Sequence, residues 1–287
     1  MDNAELYSVN NEVQKRDANM ILSEFVPQFT WSQDEIVLDI GCGPGDVSTE
    51  VLLQYMQKDI SLVGVDLSSN MIEYANEKFA NDKIRFKTLD IATKDIKKHF
   101  PEKYFSKIFS CHCLHWIQDN KQLAQNLFTL LRPGGEFLSV MTPSSQLFLA
   151  LKLLSGYEQF KQYCEDIDSV IPPLYYSRRP HMDFKKILSS QGLEVITCES
   201  RLNPVTYPNL EVMRRAFEAF NPFVKRMPEE VKEQYLDCFE SLVKQRIPIS
   251  ESGEIHIKNP IVVTYARRPI PSWSFSGPTS HSCSSIH

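Results

Sequence analysis

The chain has 287 residues, of which 42% are hydrophobic and 23% charged, and a formal net charge of −5. That length and apolar content can bury one large core. The acidic balance argues against DNA or RNA as the main partner, since such binding rests on neutralising phosphates.

No apolar run approaches the ~18 residues needed to span a membrane. The polar start "MDNAELYSVNNEVQKRD" lacks a signal-peptide core. Seven scattered cysteines fit reduced thiols better than a disulfide framework. A cytoplasmic protein without a stable membrane anchor is therefore expected.

In chain order, "NEVQKRDANMILSEF" (Asn11–Phe25) reads as a helix with a loose apolar face. "EIVLDI" is a strand, and "DVSTEVLLQYM" (Asp46–Met56) a helix. "SLVGVDL" is a second buried strand, and "SSNMIEYANEKF" a helix with a serine cap. "IRFKTLDI" (Ile84–Ile91) is the third strand, and "FSKIFSCHCLHWI" (Phe105–Ile117) a fourth that runs into a loop. "KQLAQNLFTLL" is amphipathic and stops at "RPGG"; "EFLSVMT" is the fifth strand. Strands alternating with helices imply a parallel sheet covered on both faces.

From Pro143 to Pro180 the pattern changes to Leu-, Tyr- and Phe-rich sequence without a strand period. Helix and strand resume over His181–Ser200, two helices follow at Asn209–Phe223 and Pro228–Arg246, and "PIVVTYARR" is a last strand. One domain over residues 1–268 is expected. It divides into an N-terminal helical cap (1–30), a cofactor half (31–142), a helical lid (143–190) and the completion of the sheet (191–268). The Ser-rich tail, 269–287, is expected to be disordered.

Gly41-Cys42-Gly43-Pro44-Gly45 follows the first strand and opens a helix. A dinucleotide fingerprint G-x-G-x-x-G would need glycine where Asp46 stands, and Pro44 removes one of the amide donors that a pyrophosphate needs. Asp39 and Asp46 flank the loop, which suits a cation and not a phosphate. A cofactor with a sulfonium and an ammonium group, S-adenosylmethionine, fits those charges. Asp66 and Asp90 end the second and third strands, so three acids share the rim where open α/β sheets bind ligands. "CHCLH" (Cys111–His115) resembles a metal motif, but Cys-x-Cys on a strand lacks a second ligand pair at zinc spacing, and no metal is expected.

"VLDIGCGPG", "GVDLS", "LDI" and "LLRPGG" together resemble the successive motifs of class I S-adenosylmethionine-dependent methyltransferases. The resemblance implies a Rossmann-like α/β fold. Its seven-stranded sheet would be mostly parallel with one reversed strand, "PIVVTYARR", and a helical lid would lie over the carboxyl rim. It also implies that Asp39, Gly41, Gly43 and Gly45 hold the methionine part, Asp66 the ribose, and Asp90 with Ile91 the adenine; Cys42, Leu67 and Cys111 adjoin these positions and are grouped with them. The Pro-Pro-aromatic motif of amine methyltransferases is missing after the fourth strand, and "PPLYY" at Pro172 is misplaced for it.

The wider pattern, from "LYSVNNEVQKRDA" through "LHWIQD" to "VTYARR", resembles the insect juvenile hormone acid methyltransferases, which esterify a sesquiterpenoid acid. In that family, and in the plant salicylate-type carboxyl methyltransferases, a glutamine before the first strand and a tryptophan after the fourth hold the substrate carboxylate. They map to Gln14 and Trp116, named here as the catalytic pair. A carboxylic acid of pKa about 4–5 is already ionised at pH 7 and needs aiming, not a base. His115, Phe148, Leu151 and Tyr175 are assigned to an apolar substrate pocket. Four alternatives stay open: another lipophilic acid such as a fatty acid, a small polyanionic acid with Arg178 and Arg179 available to it, His115 as base for a hydroxyl acceptor, and a cofactor-binding protein without catalysis. The sequence leaves the oligomeric state undetermined.

Overall fold

A computed structural model describes residues 4–57 and 59–271. The expected disorder of the tail therefore falls, for 272–287, outside the described residues. A short helix α1 (Ala4–Ser8) precedes α2 (Glu12–Phe25). The sheet strands are β1 (Ile36–Ile40), β2 (Ser61–Asp66), β3 (Ile84–Thr88), β4 (Phe105–Cys111), β5 (Leu131–Met141), β6 (Glu194–Tyr207) and β7 (Ile255–Arg267). Between them lie α3 (Ser69–Phe79), α4 (Ile96–His99), α5 (Asn120–Leu130), α6 (Gln146–Ser155), α7 (Ile167–Val170), α8 (Pro180–Ser190), α9 (Leu210–Phe220) and α10 (Glu229–Arg246).

The seven strands lie in the order β3-β2-β1-β4-β5-β7-β6. Every neighbouring pair is parallel except those of β7, which runs antiparallel to both β5 and β6. The expected class I methyltransferase sheet with one reversed strand is thus present. Strand order reverses between β1 and β4, and the crevice at their carboxyl ends is where such sheets bind ligands.

Both faces of the sheet are covered, so successive residues enter different cores. Leu38, Ile108 and Phe137 pack with Leu127, Phe184 and Leu188 on one face. Val37, Phe109 and Leu138 pack with Ile21, Leu22 and Phe25 of α2 on the other. At the end of the sheet away from the crevice, buried Lys107 donates to the Thr30 carbonyl at 2.8 Å and pairs with Glu35 at 3.2 Å and Glu136 at 3.3 Å.

Several elements differ from the sequence reading. Val47–Val51 forms a π turn and Leu52–Tyr55 a 3-10 turn instead of one regular helix. Three β-branched residues weaken that helix, and the Ser48 and Thr49 hydroxyls are drawn back to Asp39 and to the Gly45 carbonyl. β3 ends at Thr88 and β4 at Cys111, because their ladders with β2 and β5 end there. β5 starts at Leu131, the last residue of the expected helix, and runs through the expected stop signal, where its register against β4 shifts between Leu131 and Glu136.

The helical layer is also larger and differently composed than residues 143–190. Phe184 and Leu188 of α8 belong to the core of the sheet. Helices α9 and α10 and the far ends of β6 and β7 pack instead with Phe148, Leu151 and Phe160. The β6–β7 ribbon pairs from Glu194–Arg267 out to Tyr207–Ile255, well beyond the strands expected from sequence, and so carries these helices. Local periodicity could not reveal this, since the residues that meet are far apart in the chain.

Candidate active site

The glycine loop closes tightly against the ends of β2 and β4. Gly41 has φ +73°, and a Cβ there would lie 2.2 Å from Cys113 Cβ, so glycine is required twice over. Its N–H donates to the Val65 carbonyl at 2.7 Å. Gly45, at φ +86°, lets the turn approach Ala75 and Phe86. Pinned in this way, the loop sends the Gly43 N–H to Asp66 Oδ2 at 3.0 Å, while Asp66 Oδ1 accepts from Ser68 N at 2.9 Å.

A cleft of about 570 Å3 opens at this rim, within the roughly 300–1,000 Å3 usual for small-molecule sites. Of the residues singled out in the sequence, Gly41, Gly43, Asp66, Leu67, Asp90, Ile91 and Trp116 line it. The others do not. Cys42 turns away from the cleft and is buried with Ile72, Ala75 and Phe86. Asp39 is buried behind the loop, accepting from Ser48 Oγ at 2.5 Å. Cys111 faces α2, with Sγ donating to the Gln14 carbonyl at 3.5 Å. Phe148 and Leu151 are buried in the helical core with half-buried Tyr175 packed against it, and His115 is buried beneath Trp116. None of these four residues lines the cleft, and aromatic rings pack around Phe148. Trp116 lies 5.2 Å from Phe148 and 6.2 Å from Phe220, centre to centre.

Gln14 sits one layer behind the cleft. Its Nε2 donates to the Tyr7 hydroxyl at 3.3 Å, and its Oε1 is buried without a protein partner. Turning the amide over would let Tyr7 donate to the oxygen and free the NH2 for a ligand. Asn11 Oδ1 and Asp46 Oδ1 are likewise buried and unpartnered, beside the same loop. Beside the loop, therefore, two buried acceptors remain without a protein partner.

Tyr7, His112, Cys113 and Gln118 line the cleft and were not anticipated. Tyr7 lies on α1, ahead of the helix that carries Gln14, and no pattern in the sequence announces it. His112 adopts φ +52°, which no pattern in the sequence announces. Gln118 Nε2 donates to the Ser169 and Ile171 carbonyls at 2.7 and 3.2 Å, tying the rim to the helical layer.

Electrostatically, the cleft walls carry Asp66, Asp90 and Asp119 and no Lys or Arg among the described residues. Burial pushes the Asp39 carboxyl up to about 6; the Ser48 hydrogen bond opposes this and the charge of Asp66 adds to it. Asp66 is also raised by burial, against the two backbone donors. Burial, and then His112, hold His115 well below the usual histidine range. Its Nδ1 accepts from Thr142 N at 3.4 Å, which places the ring proton on Nε2. The site thus favours cations, and His115 is a poor base.

A family model described as a methyltransferase domain matches residues 37–135. The juvenile hormone acid O-methyltransferase of Drosophila melanogaster is 31% identical over 276 residues, 93% of each chain. That of Bombyx mori is 31% identical over 280 residues, covering 93% of this chain and 98% of its own. Among solved structures, phosphoethanolamine N-methyltransferase 2 of Haemonchus contortus, in complex with phosphomonomethylethanolamine and S-adenosylhomocysteine, superposes with a TM-score of 0.55. The identity is 18%, and the match covers 93% of this chain and 57% of that one; it is a likeness of fold.

Proposed function

Because the chain belongs to the juvenile hormone acid O-methyltransferase family of S-adenosylmethionine-dependent enzymes, we propose that it esterifies a sesquiterpenoid acid, farnesoic acid or juvenile hormone acid. The observation that carries this reading is the cleft lining: three carboxylates, one tryptophan at the rim, and no Lys or Arg. Such a lining welcomes a cationic cofactor and a single carboxylate with an apolar tail. It does not suit a polyanionic acid, and Arg178 and Arg179 are exposed away from the cleft.

S-adenosylmethionine supplies a methyl group on a sulfonium, which leaves as a neutral thioether. The acid-flanked loop, Asp66 and Asp90 fit that cofactor and would hold it. The Trp116 indole N–H and the Gln14 amide, turned as above, would then orient a substrate carboxylate. Neutral donors aim the anion without an ion pair that would blunt it, and the rings beside Trp116 exclude water, which strengthens attraction to the sulfonium. No general base is needed, consistent with a histidine held neutral under the rim.

A cytoplasmic location belongs to the same proposal; among the described residues no helix is long and apolar enough to cross a membrane. The test is methyl transfer from labelled cofactor to farnesoic acid, decanoic acid and aconitic acid. Methyl farnesoate as the dominant product supports the reading. Preference for aconitate, or transfer to a hydroxyl, overturns it.

A further inference from the structure

Asp17 is buried and held on three sides. Its Oδ1 accepts from Arg16 Nη2 at 2.8 Å and Nε at 3.0 Å, and its Oδ2 from Asn203 Nδ2 at 2.6 Å. His112 Nε2 donates to the same Oδ2 at 2.8 Å, across 95 residues of sequence. The other nitrogen of His112 lies 3.1 Å from Thr142 Oγ1. The Thr142 N–H in turn meets His115 at 3.4 Å, and the His115 ring lies 5.1 Å from that of Trp116. Thus α2, β6 and the β4 loop converge on one carboxylate, and the end of β5 is joined to it through His112. Burying it is unfavourable in itself, but His112 and Arg16 outweigh that and hold its carboxyl below the usual range.

The position of this pair in the chain is informative. Asp17 is three residues after Gln14, on the same face of α2. His112 is four residues before Trp116, at the turn that ends β4. That turn puts His112 in the left-handed region at φ +52°, a conformation a non-glycine residue holds only when its surroundings enforce it. The enforcing contacts are the bonds to Asp17 and Thr142, together with the His112 N–H to the Val140 carbonyl at 2.8 Å.

We infer that the Asp17–His112 hydrogen bond is a positioning strut that fixes the separation of Gln14 and Trp116. Neither strut residue performs chemistry; the pair locks the helix bearing one carboxylate donor to the loop bearing the other. This rests on the reading of Gln14 and Trp116 as carboxylate donors. An amide and an indole must address one carboxylate from two elements that share no backbone ladder. An error of about 1 Å between them costs on the order of a hundredfold in rate.

The test uses the full chain with three variants: Asp17→Asn, His112→Asn, which tolerates the left-handed turn, and the double change. Methyl transfer to farnesoic acid is measured beside calorimetric titration with S-adenosylhomocysteine. For each single variant, kcat should fall about tenfold to a hundredfold while one molecule of S-adenosylhomocysteine still binds per chain. The double variant should lose no more than the worse single one, since either change removes the same bond. A role in folding alone would lower the binding stoichiometry in step with kcat, and independent roles would multiply the losses; either result overturns the strut.

A substrate-independent readout separates this from the broader proposal. In 15N spectra, the Trp116 indole N–H, assigned by Trp116→Phe, should shift in Asp17→Asn with cofactor product bound. An unmoved resonance overturns the strut whatever the acceptor. If the unaltered protein methylates no carboxylic acid, the functional reading falls, and the resonance still decides the strut.

Discussion

On the sheet side of Trp116 the cleft is built from backbone. The loop glycines at positive φ follow directly on the end of β1, and Asp66 and Asp90 stand at or within two residues of the ends of β2 and β3. On the helical side, packed behind Trp116 and outside the cleft lining, stand side chains: Phe148, Phe220, Phe217 and Tyr235, drawn from three helices and meeting ring to ring. The first wall is set by steric rules that leave one residue type per position. The second is set by volume, which many sequences can fill. In the function proposed above, the cofactor meets the strict wall and the substrate lies toward the permissive side.

The sharpest way to break this contrast is Gly41→Ala. A single methyl group would meet Cys113 in a left-handed backbone, at a cost of about 2–4 kcal/mol. S-adenosylhomocysteine binding by calorimetry should disappear, and normal binding would show that the rim is not rigid. Asp39→Asn should act on stability in the opposite direction. With its folded pKa at about 6 against a usual 3.8, Asp39 contributes stability that is full below 3.8 and is lost as pH rises through 6. Asparagine escapes that loss. In urea unfolding without cofactor, the variant should gain roughly 2–3 kcal/mol at pH 7 and nothing at pH 3.5.

Trp116→Phe probes the seam between the walls, since it keeps a ring against Phe148 and Phe220 and deletes the N–H. Turnover of farnesoic acid should fall by about 1.5–3 kcal/mol, one to two decades, and an unchanged rate would remove Trp116 from the site. The smallest effect is expected from pH itself. At saturating cofactor, kcat between pH 8 and 6 should vary less than about threefold, because no histidine base has to lose a proton. A tenfold fall per pH unit below 6.5 would restore a base, although His115, held below that range, is a poor one.

The same contrast explains what could be read from the chain before its structure. The order of strands, the loop and the rim acids were legible because each is coded by neighbours in sequence. The turned-away side chain of Cys42 was not, since a loop residue's direction depends on φ values that composition does not disclose. The substrate-side residues misled for another reason. Leu151 and Phe148 have the right chemistry for a greasy pocket, yet the helices that fill the space around them, α9 and α10, arrive more than 50 residues later. His112 and Asp17 were passed over because their meaning lies wholly in a contact between distant segments.

The placement of β7 bears on how the chain reaches this state during synthesis. Among the described residues it is the last strand made, yet it sits inside the sheet between β5 and β6. Until it emerges, β5 presents Leu138 and Val140 along an open edge, a template for pairing with another chain. The helices between Tyr207 and Ile255 must be made first, and they bring the two ends of their excursion together at the Tyr207–Ile255 pair. A ribosome that stalls before Ile255 would release a chain with its cofactor loop encoded and its sheet unclosed. Such fragments should aggregate, which makes this thirteen-residue strand the step that converts a sticky nascent chain into an enzyme.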